Sequence, residues 1–396
     1  MTAFLVFLIA YTLSQFYRSF LAVIAPELAT EIGLSAADLG NISATWFWVF
    51  ALSQFIVGIA LDRLGPRRTV PAFMVAAVAG AFLLSRAQSA EACMLANGLI
   101  GLGCSPIYMG ALYTFGRTQP ASRFAYYSAI LLGFGSLGNL LGATPLAKAS
   151  EAIGWRPAFV VIAGVTALAA LMVLAFVRDP PRAAPESGTD RAGPISGLVE
   201  ILSIRALLPL LPITLVSYAV MLAERGLWIG PYFAEVHGLE PVPRGNAVLA
   251  MAVAMSLGPL IYGPIDRMVG WHKPVVIVGS LATAGLFLTL ALIPGLTVGP
   301  ATGLLAAIGA VGMTYTSLLA HARRYFPAHL LGRGITSINF LFFAGAGLLQ
   351  PLSGRLVASM TQQGAAPAEI FSTLHLTFGL LLAGATFIYL FSREEH

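Results

Sequence analysis

Apolar stretches long enough to cross a bilayer alternate along the chain with short polar connections, and only one long polar segment interrupts them. A helix rises ~1.5 Å per residue, so crossing the hydrocarbon core takes about 20 apolar residues. Twelve stretches qualify. They run from Ala3 to Ala25, Leu39 to Leu61, Thr69 to Ser85, Ala92 to Gly116, Phe124 to Ala147 and Pro157 to Val177, then from Ala206 to Ala234, Gly245 to Ile265, Pro274 to Ile293, Val298 to Ala320, Gly334 to Gly354 and Ile370 to Phe391. The uncharged run from Pro274 to Ala320 is too long for one crossing, and Pro294, Gly295 and Pro300 divide it in two. The polar segment, Arg178 to Arg205, holds Pro180, Pro181, Pro185 and Pro194 among mixed charges. It reads as a solvent-exposed linker with a short interfacial helix at its far end, from Ile195 to Arg205. The pattern predicts an all-α polytopic membrane protein: twelve transmembrane helices in two six-helix bundles, residues 1–177 and 206–396, joined by a cytoplasmic linker over 178–205.

Composition agrees with a bilayer as the solvent. Of the 396 residues 58% are hydrophobic and 10% are charged, against about 25% charged in a water-soluble domain. The net charge of +5 matters through its placement, since no basic helix or basic patch interleaved with aromatics offers a nucleic-acid surface. With the N-terminus inside, the inner loops and tail hold fifteen Lys and Arg and the outer loops five, so both termini are expected to be cytoplasmic. The first apolar run starts at residue 3 with no basic leader or small-residue cleavage site, which predicts a retained span rather than a signal peptide. Cys93 and Cys104 fit neither a disulfide framework nor a zinc spacing. No nucleophile with a base, metal-ligand cluster or phosphate loop is evident, so neither an enzyme nor a cofactor or metal is expected.

The two halves repeat. Pro26 to Leu34 (PELATEIGL) matches Pro231 to Leu239 (PYFAEVHGL) at an offset of 205. Asp62 and Arg63 fall on Asp266 and Arg267 at an offset of 204, and Arg117 to Pro120 recurs as Arg324 to Pro327 at 207. Such parallel duplications make the bundles pseudo-symmetric about an axis along the membrane normal and place cargo near the midplane. On these residues the chain resembles the major facilitator superfamily over essentially its whole length. The most specific element is Gly58-Ile-Ala-Leu-Asp62-Arg63-Leu-Gly65-Pro-Arg67-Arg68, similar to that family's loop between the second and third helices. Its degenerate second copy is Gly263-Pro-Ile-Asp266-Arg267-Met-Val-Gly270, and Gly154-Trp155-Arg156 is also typical. The resemblance implies a secondary transporter, a monomer in the bacterial inner membrane, gated on the cytoplasmic side by Asp62, Arg63 and Arg67 with Asp266 and Arg267 in the second half. A positive-inside signal alone is the plainer account of those arginines. Two family features are missing: Asn97 stands where many proton-coupled relatives carry a buried arginine, and the Gly133 to Gly142 segment lacks the proline of drug antiporters.

A charge in mid-span costs roughly 2.5–3.5 kcal/mol on insertion scales, so it needs a partner or a wet cavity. Arg18, Glu224 and Arg225 lie within the spans, together with His321 and His375. Arg18 lies eight residues before Pro26 and Arg225 six before Pro231, at similar depth in equivalent helices. In the family these helices face the central cavity, so the resemblance places two guanidinium groups across one pocket, an arrangement suited to a carboxylate or phosphate. It is similar in this to organophosphate carriers. One structural ion pair between Arg225 and Glu224 is the alternative, disfavoured by the 100° between successive helical residues. Tyr11 and Gln15 share a stripe with Arg18, while Tyr218 and Tyr232 flank Arg225. Trp228, Trp46, Trp48 and Tyr108 are candidates to stack on cargo or to anchor at an interface. Asn97, Asn139, Asn339 and Gln350 are candidates for interhelical hydrogen bonds or for lining the cavity. Glu224 and His375 are the candidates for proton coupling, and His321 belongs to an inner helix end. The leading expectation is a secondary transporter, such as a symporter, for a small organic anion. A proton-coupled exporter of amphipathic or cationic compounds is the alternative, and a transporter-like receptor the third.

Overall fold

The structure, a computed structural model, describes residues 2–180, 204–293, 295–326 and 331–393, without the side chains at 121, 122, 125, 129, 267 and 331–333. The described residues are helical with no strand. Eleven helices are long and apolar enough to cross a membrane, and a bent pair makes a twelfth span. In chain order they are α1 (Thr2–Phe16 continued by Phe20–Ile32, bent by 43°), α2 (Ala36–Leu64), α3 (Pro66–Arg86), α4 (Ala90–Thr118), α5 (Tyr126–Ile153) and α6 (Trp155–Phe176). After the polar segment follow α7 (Arg205–Glu235), α8 (Pro241–Asp266), α9 (His272–Leu292), α10 (Val298–Arg323), α11 (Gly334–Gln362) and α12 (Pro367–Tyr389). Each expected span has its helix. Most extend a turn or so beyond the apolar run, because helix ends carry polar caps: Ser89 Oγ accepts from Ala92 N at 3.3 Å to open α4. The helix expected from Ile195, and nearly all of the linker, lie outside the described residues.

The chain divides into two compact units. One holds α1, α2 from Asn41 onward, α3 to α6 and Pro241–Gly245; the other holds Ser35–Gly40, α7, α8 from Asn246 onward and α9 to α12. In the first, Val6, Phe7 and Ala10 of α1 pack with Leu61 of α2, Met74 of α3, Ile107 and Phe115 of α4 and Val173 of α6. In the second, Leu210 and Ile213 of α7 pack with Val276 of α9, Leu318 of α10, Phe342 of α11 and Tyr389 of α12. Large apolar side chains also point outward, Val161, Leu168 and Leu171 of α6 among them. That would be a liability in water, but it is the normal state of a helix bathed in lipid.

Candidate transport site

Both intramembrane arginines stand where their helix stops being regular. α1 is interrupted after Phe16, and Arg18 lies in the four-residue turn before the helix resumes at Leu21. There Arg18 N bonds to Gln15 O at 3.2 Å and Ser19 N to Phe16 O at 3.0 Å, three residues back instead of four. In α7 the α-helix runs from Leu211 to Ala223, gives way to a π-helical segment over Glu224–Trp228, and resumes at Ile229. π-Segments and broken helices in membrane spans recur at binding sites, because they turn side chains and backbone polar groups into the interior. Neither break has a proline at the arginine itself: Pro26 and Pro231 come later.

In the first unit, the Arg18 guanidinium sits over two rings of α2, 5.3 Å from the Trp46 centroid and 4.9 Å from that of Phe50. Those rings stack on each other at 4.8 Å with 11° between their planes. A cation held over aromatic faces keeps its planar fork ordered. Gln15 Nε2 donates to the Tyr11 hydroxyl at 3.1 Å, and the Tyr11 ring lies 5.1 Å from that of Tyr108 on α4. Tyr11, Gln15 and Tyr108 thus form one polar-aromatic group on α1 and α4. Asn97 is buried and donates from Nδ2 to Ile42 O at 2.7 Å, joining α4 to α2. Trp48 and Asn139 are half-buried. Sequence reasoning missed Phe50, one helical turn beyond Trp46; the i, i+4 spacing of two aromatics was the available signal.

In the second unit, Arg225 is 3% exposed and Glu224 fully buried. Glu224 Oε2 lies 3.4 Å from His375 Nε2 on α12. Trp228, on the same π-segment, donates from Nε1 to Ser353 Oγ of α11 at 2.9 Å. Tyr232 is buried with its ring 5.3 Å from His375 and 5.5 Å from Phe371. Tyr218 is drawn elsewhere, packing on Tyr315 at 4.9 Å. Asn339 is half-buried and Gln350 fully buried. His321 meets the Tyr389 hydroxyl at 2.5 Å and Arg393 O at 3.1 Å, tying the C-terminal end of α10 to that of α12. The structure therefore gathers Glu224, Arg225, Trp228, Tyr232 and His375 around one stretch of α7.

The repeated loops are built differently in the two units. Gly65, with φ of 78°, makes the turn into α3. Arg67 then donates from its backbone N to Asp179 Oδ1 at 2.8 Å and from Nε to Leu174 O at 2.9 Å, fastening the loop to the end of α6. Asp62 and Arg63 are exposed. In the second copy, Asp266 Oδ2 accepts from Ser317 Oγ at 2.7 Å and its Oδ1 lies 3.4 Å from His272 Nδ1. The Arg267 side chain lies outside the described residues. Asp179, His272 and Ser317 went unnoticed in the sequence because none belongs to the repeated motif.

Comparison with known proteins supports the architecture. The Major Facilitator Superfamily model matches residues 7–351. A probable sulfoacetate transporter of Cupriavidus necator is 23% identical over 43% of this chain and 40% of its own length. The Escherichia coli fosmidomycin resistance protein is 25% identical over 89% of this chain and 85% of its own. A Corynebacterium glutamicum gentisate transporter is 24% identical over 84% and 75% respectively. Among solved structures, a bacterial homologue of the lysosomal transporter Spinster aligns with a TM-score of 0.78 at 17% identity, covering 98% of this chain and 96% of its own.

Proposed function

Because this chain belongs to the Major Facilitator Superfamily and is a multi-pass membrane transporter, we propose that its cargo is a small organic anion bearing a carboxylate or phosphate, bound by Arg18 and Arg225 and moved by alternating access across a bacterial inner membrane. One observation carries the reading: in each of two repeat-related helices, α1 and α7, an arginine occupies the point where regular helix is interrupted. A cation at such depth is expensive unless it has work there, and a guanidinium fork suits carboxylate and phosphate oxygens. Two relatives are named for sulfoacetate and gentisate transport, and both molecules are anions at neutral pH. Tyr11, Gln15 and Tyr108 beside Arg18, and Trp228 and Tyr232 beside Arg225, would orient the remainder of the cargo, with Tyr218 and Asn339 further out, while Asn97 ties α4 to α2. The loops at Asp62, Arg63, Arg67, Asp266 and Arg267 would serve as the cytoplasmic gate.

The test is uptake by the purified protein in liposomes, with a panel of carboxylates and phosphates that includes gentisate. Arg18→Gln and Arg225→Gln should each lower uptake by roughly tenfold or more, the equivalent of one charge-assisted hydrogen bond, while the protein stays monodisperse. Uptake kinetics equal to the parent's would sink the anion reading. A second reading, proton-driven export of amphipathic or cationic compounds, draws on the buried Glu224 and on the relative named for fosmidomycin resistance. Raised resistance of cells to cationic toxins, without anion uptake, would favour it.

A further inference from the structure

The Glu224 carboxylate and the His375 imidazole face each other in the interior of the second unit, 0% and 1% exposed, with Oε2 and Nε2 3.4 Å apart. Among the described residues neither Glu224 oxygen accepts a hydrogen bond, and His375 Nε2 makes none. A buried carboxylate without donors is costly as an anion, and so is a buried imidazolium without an acceptor. Together they tolerate one proton well, since the pair is then neutral overall whichever atom holds it. Without that proton the pair carries a full negative charge away from water.

The surroundings leave that proton few competitors. α7 supplies Arg225, next in sequence to Glu224, and Tyr232, whose ring packs on His375. α12 contributes Phe371 and α9 contributes Phe287, 6.2 Å from His375 between ring centroids. α11 reaches this stretch through neutral groups, Ser353 bonded to Trp228 and Gln350 beside it. α10 approaches at Gly312, against Met221. His237, beyond α7, also packs on Tyr232, at 5.1 Å between ring centroids.

We propose that Glu224 and His375 form one proton-binding pair that couples transport to the proton gradient, one proton accompanying each anion. The idea rests on the anion reading and deepens it. With the proton aboard, Glu224, His375 and Arg225 sum to one positive charge, which an anionic cargo balances. With the proton gone, the three sum to zero, and no net positive charge remains for an anionic cargo to balance. Binding of proton and anion therefore favour each other, which is the linkage that symport requires. Hydronium on the proton-rich side protonates the pair and leaves as water; water on the other side accepts the proton. Only N–H and O–H bonds form and break, and no electrons are transferred.

Two measurements on the full-length protein decide the matter. The first is the pH-difference infrared spectrum of the purified parent, which should show a carboxylic-acid C=O band that Glu224→Gln removes and whose midpoint pH His375→Gln shifts. Should Glu224→Gln fail to fold, Glu224→Asp serves instead and should move the band without abolishing it. A band unaffected by changes at Glu224, or a midpoint indifferent to His375→Gln, overturns the pair. The second is uptake of gentisate and sulfoacetate into liposomes under an inward proton gradient. The gradient should stimulate uptake by the parent, and this stimulation should be lost in Glu224→Gln and His375→Gln; stimulation retained in both overturns the coupling role. If the parent moves neither probe, the anion reading fails for these cargoes while the infrared result still decides the pair. Arg18→Gln separates the two ideas further, because it should lose uptake and keep the infrared band.

Discussion

Asn97 and Trp228 both carry a polar group into an apolar interior, and each finds its partner on a neighbouring helix. Asn97 Nδ2 reaches the Ile42 carbonyl at 2.7 Å and Trp228 Nε1 the Ser353 hydroxyl at 2.9 Å. Interhelical bonds of this kind contribute about 0.6 kcal/mol on average within membranes, and up to about 1.7. Asn97→Ala should therefore lower the thermal midpoint of the purified protein modestly and leave its KM for cargo unchanged. A raised KM with an unchanged midpoint would instead return Asn97 to the binding site. That Asn97 and Glu224 needed partners was readable from the sequence, because each is polar within an apolar run. Which partner was not. Ile42 contributes only a backbone carbonyl, which every residue has, and His375 lies 151 positions from Glu224. The one hint was arithmetical: Glu224 is the sole carboxylate left inside the expected spans, and His375 one of two histidines.

Between elements, the repeat shows itself in glycines. On α5, a Cβ at Gly138 would come within 1.9 Å of the Thr12 carbonyl oxygen of α1; on α11, a Cβ at Gly345 would come within 1.8 Å of that of Leu215 on α7. The two glycines are 207 positions apart, and in each unit they let the fifth helix of the half lie directly on the backbone of the first, the helix that carries the arginine. Gly101 and Gly309 repeat the device: a Cβ there would come within 2.6 and 2.9 Å of the carbonyl oxygens of Trp46 and Met251. A side chain at Gly138 or Gly345 has no flexible neighbour to push aside, only a helix backbone. Gly138→Val and Gly345→Val should each cost at least about 1–3 kcal/mol and collapse the monodisperse fraction on gel filtration. Gly133→Val, where nothing lies within 4 Å of the added Cβ, should be tolerated; equal yields for all three would contradict the close-packing account. The helices themselves were legible because apolar length sets them. Their irregularities were not: the turn at Arg18 contains neither Gly nor Pro, and the π-segment differs from ordinary helix by a hydrogen-bond shift that leaves no mark in residue type.

At the scale of the molecule, the bend in α1 decides a question of parity. Taken as one crossing, the pair Thr2–Phe16 and Phe20–Ile32 makes twelve spans and puts both termini on the same side; taken as a re-entrant hairpin, it leaves eleven and puts them on opposite sides. The fifteen-to-five distribution of basic residues predicts the same side for the later loops whichever holds, since Arg63, Arg67 and Arg68 around the turn from α2 to α3 are expected to face the cytoplasm. Only the N-terminus changes side. The bend of 43° is far from the reversal a hairpin needs, and the sum of the two helices approaches 30 residues, ample for a kinked crossing of a ~30 Å core. Both termini are therefore expected in the cytoplasm. Single cysteines placed at Thr2, at the exposed Glu151 in the last turn of α5, and at the exposed Arg393 should separate cleanly after replacement of Cys93 and Cys104. A membrane-impermeant maleimide added to intact cells should label position 151 alone. Labelling at position 2 would make α1 re-entrant and remove Arg18 from any crossing helix, and the anion proposal would then have to stand on Arg225 by itself.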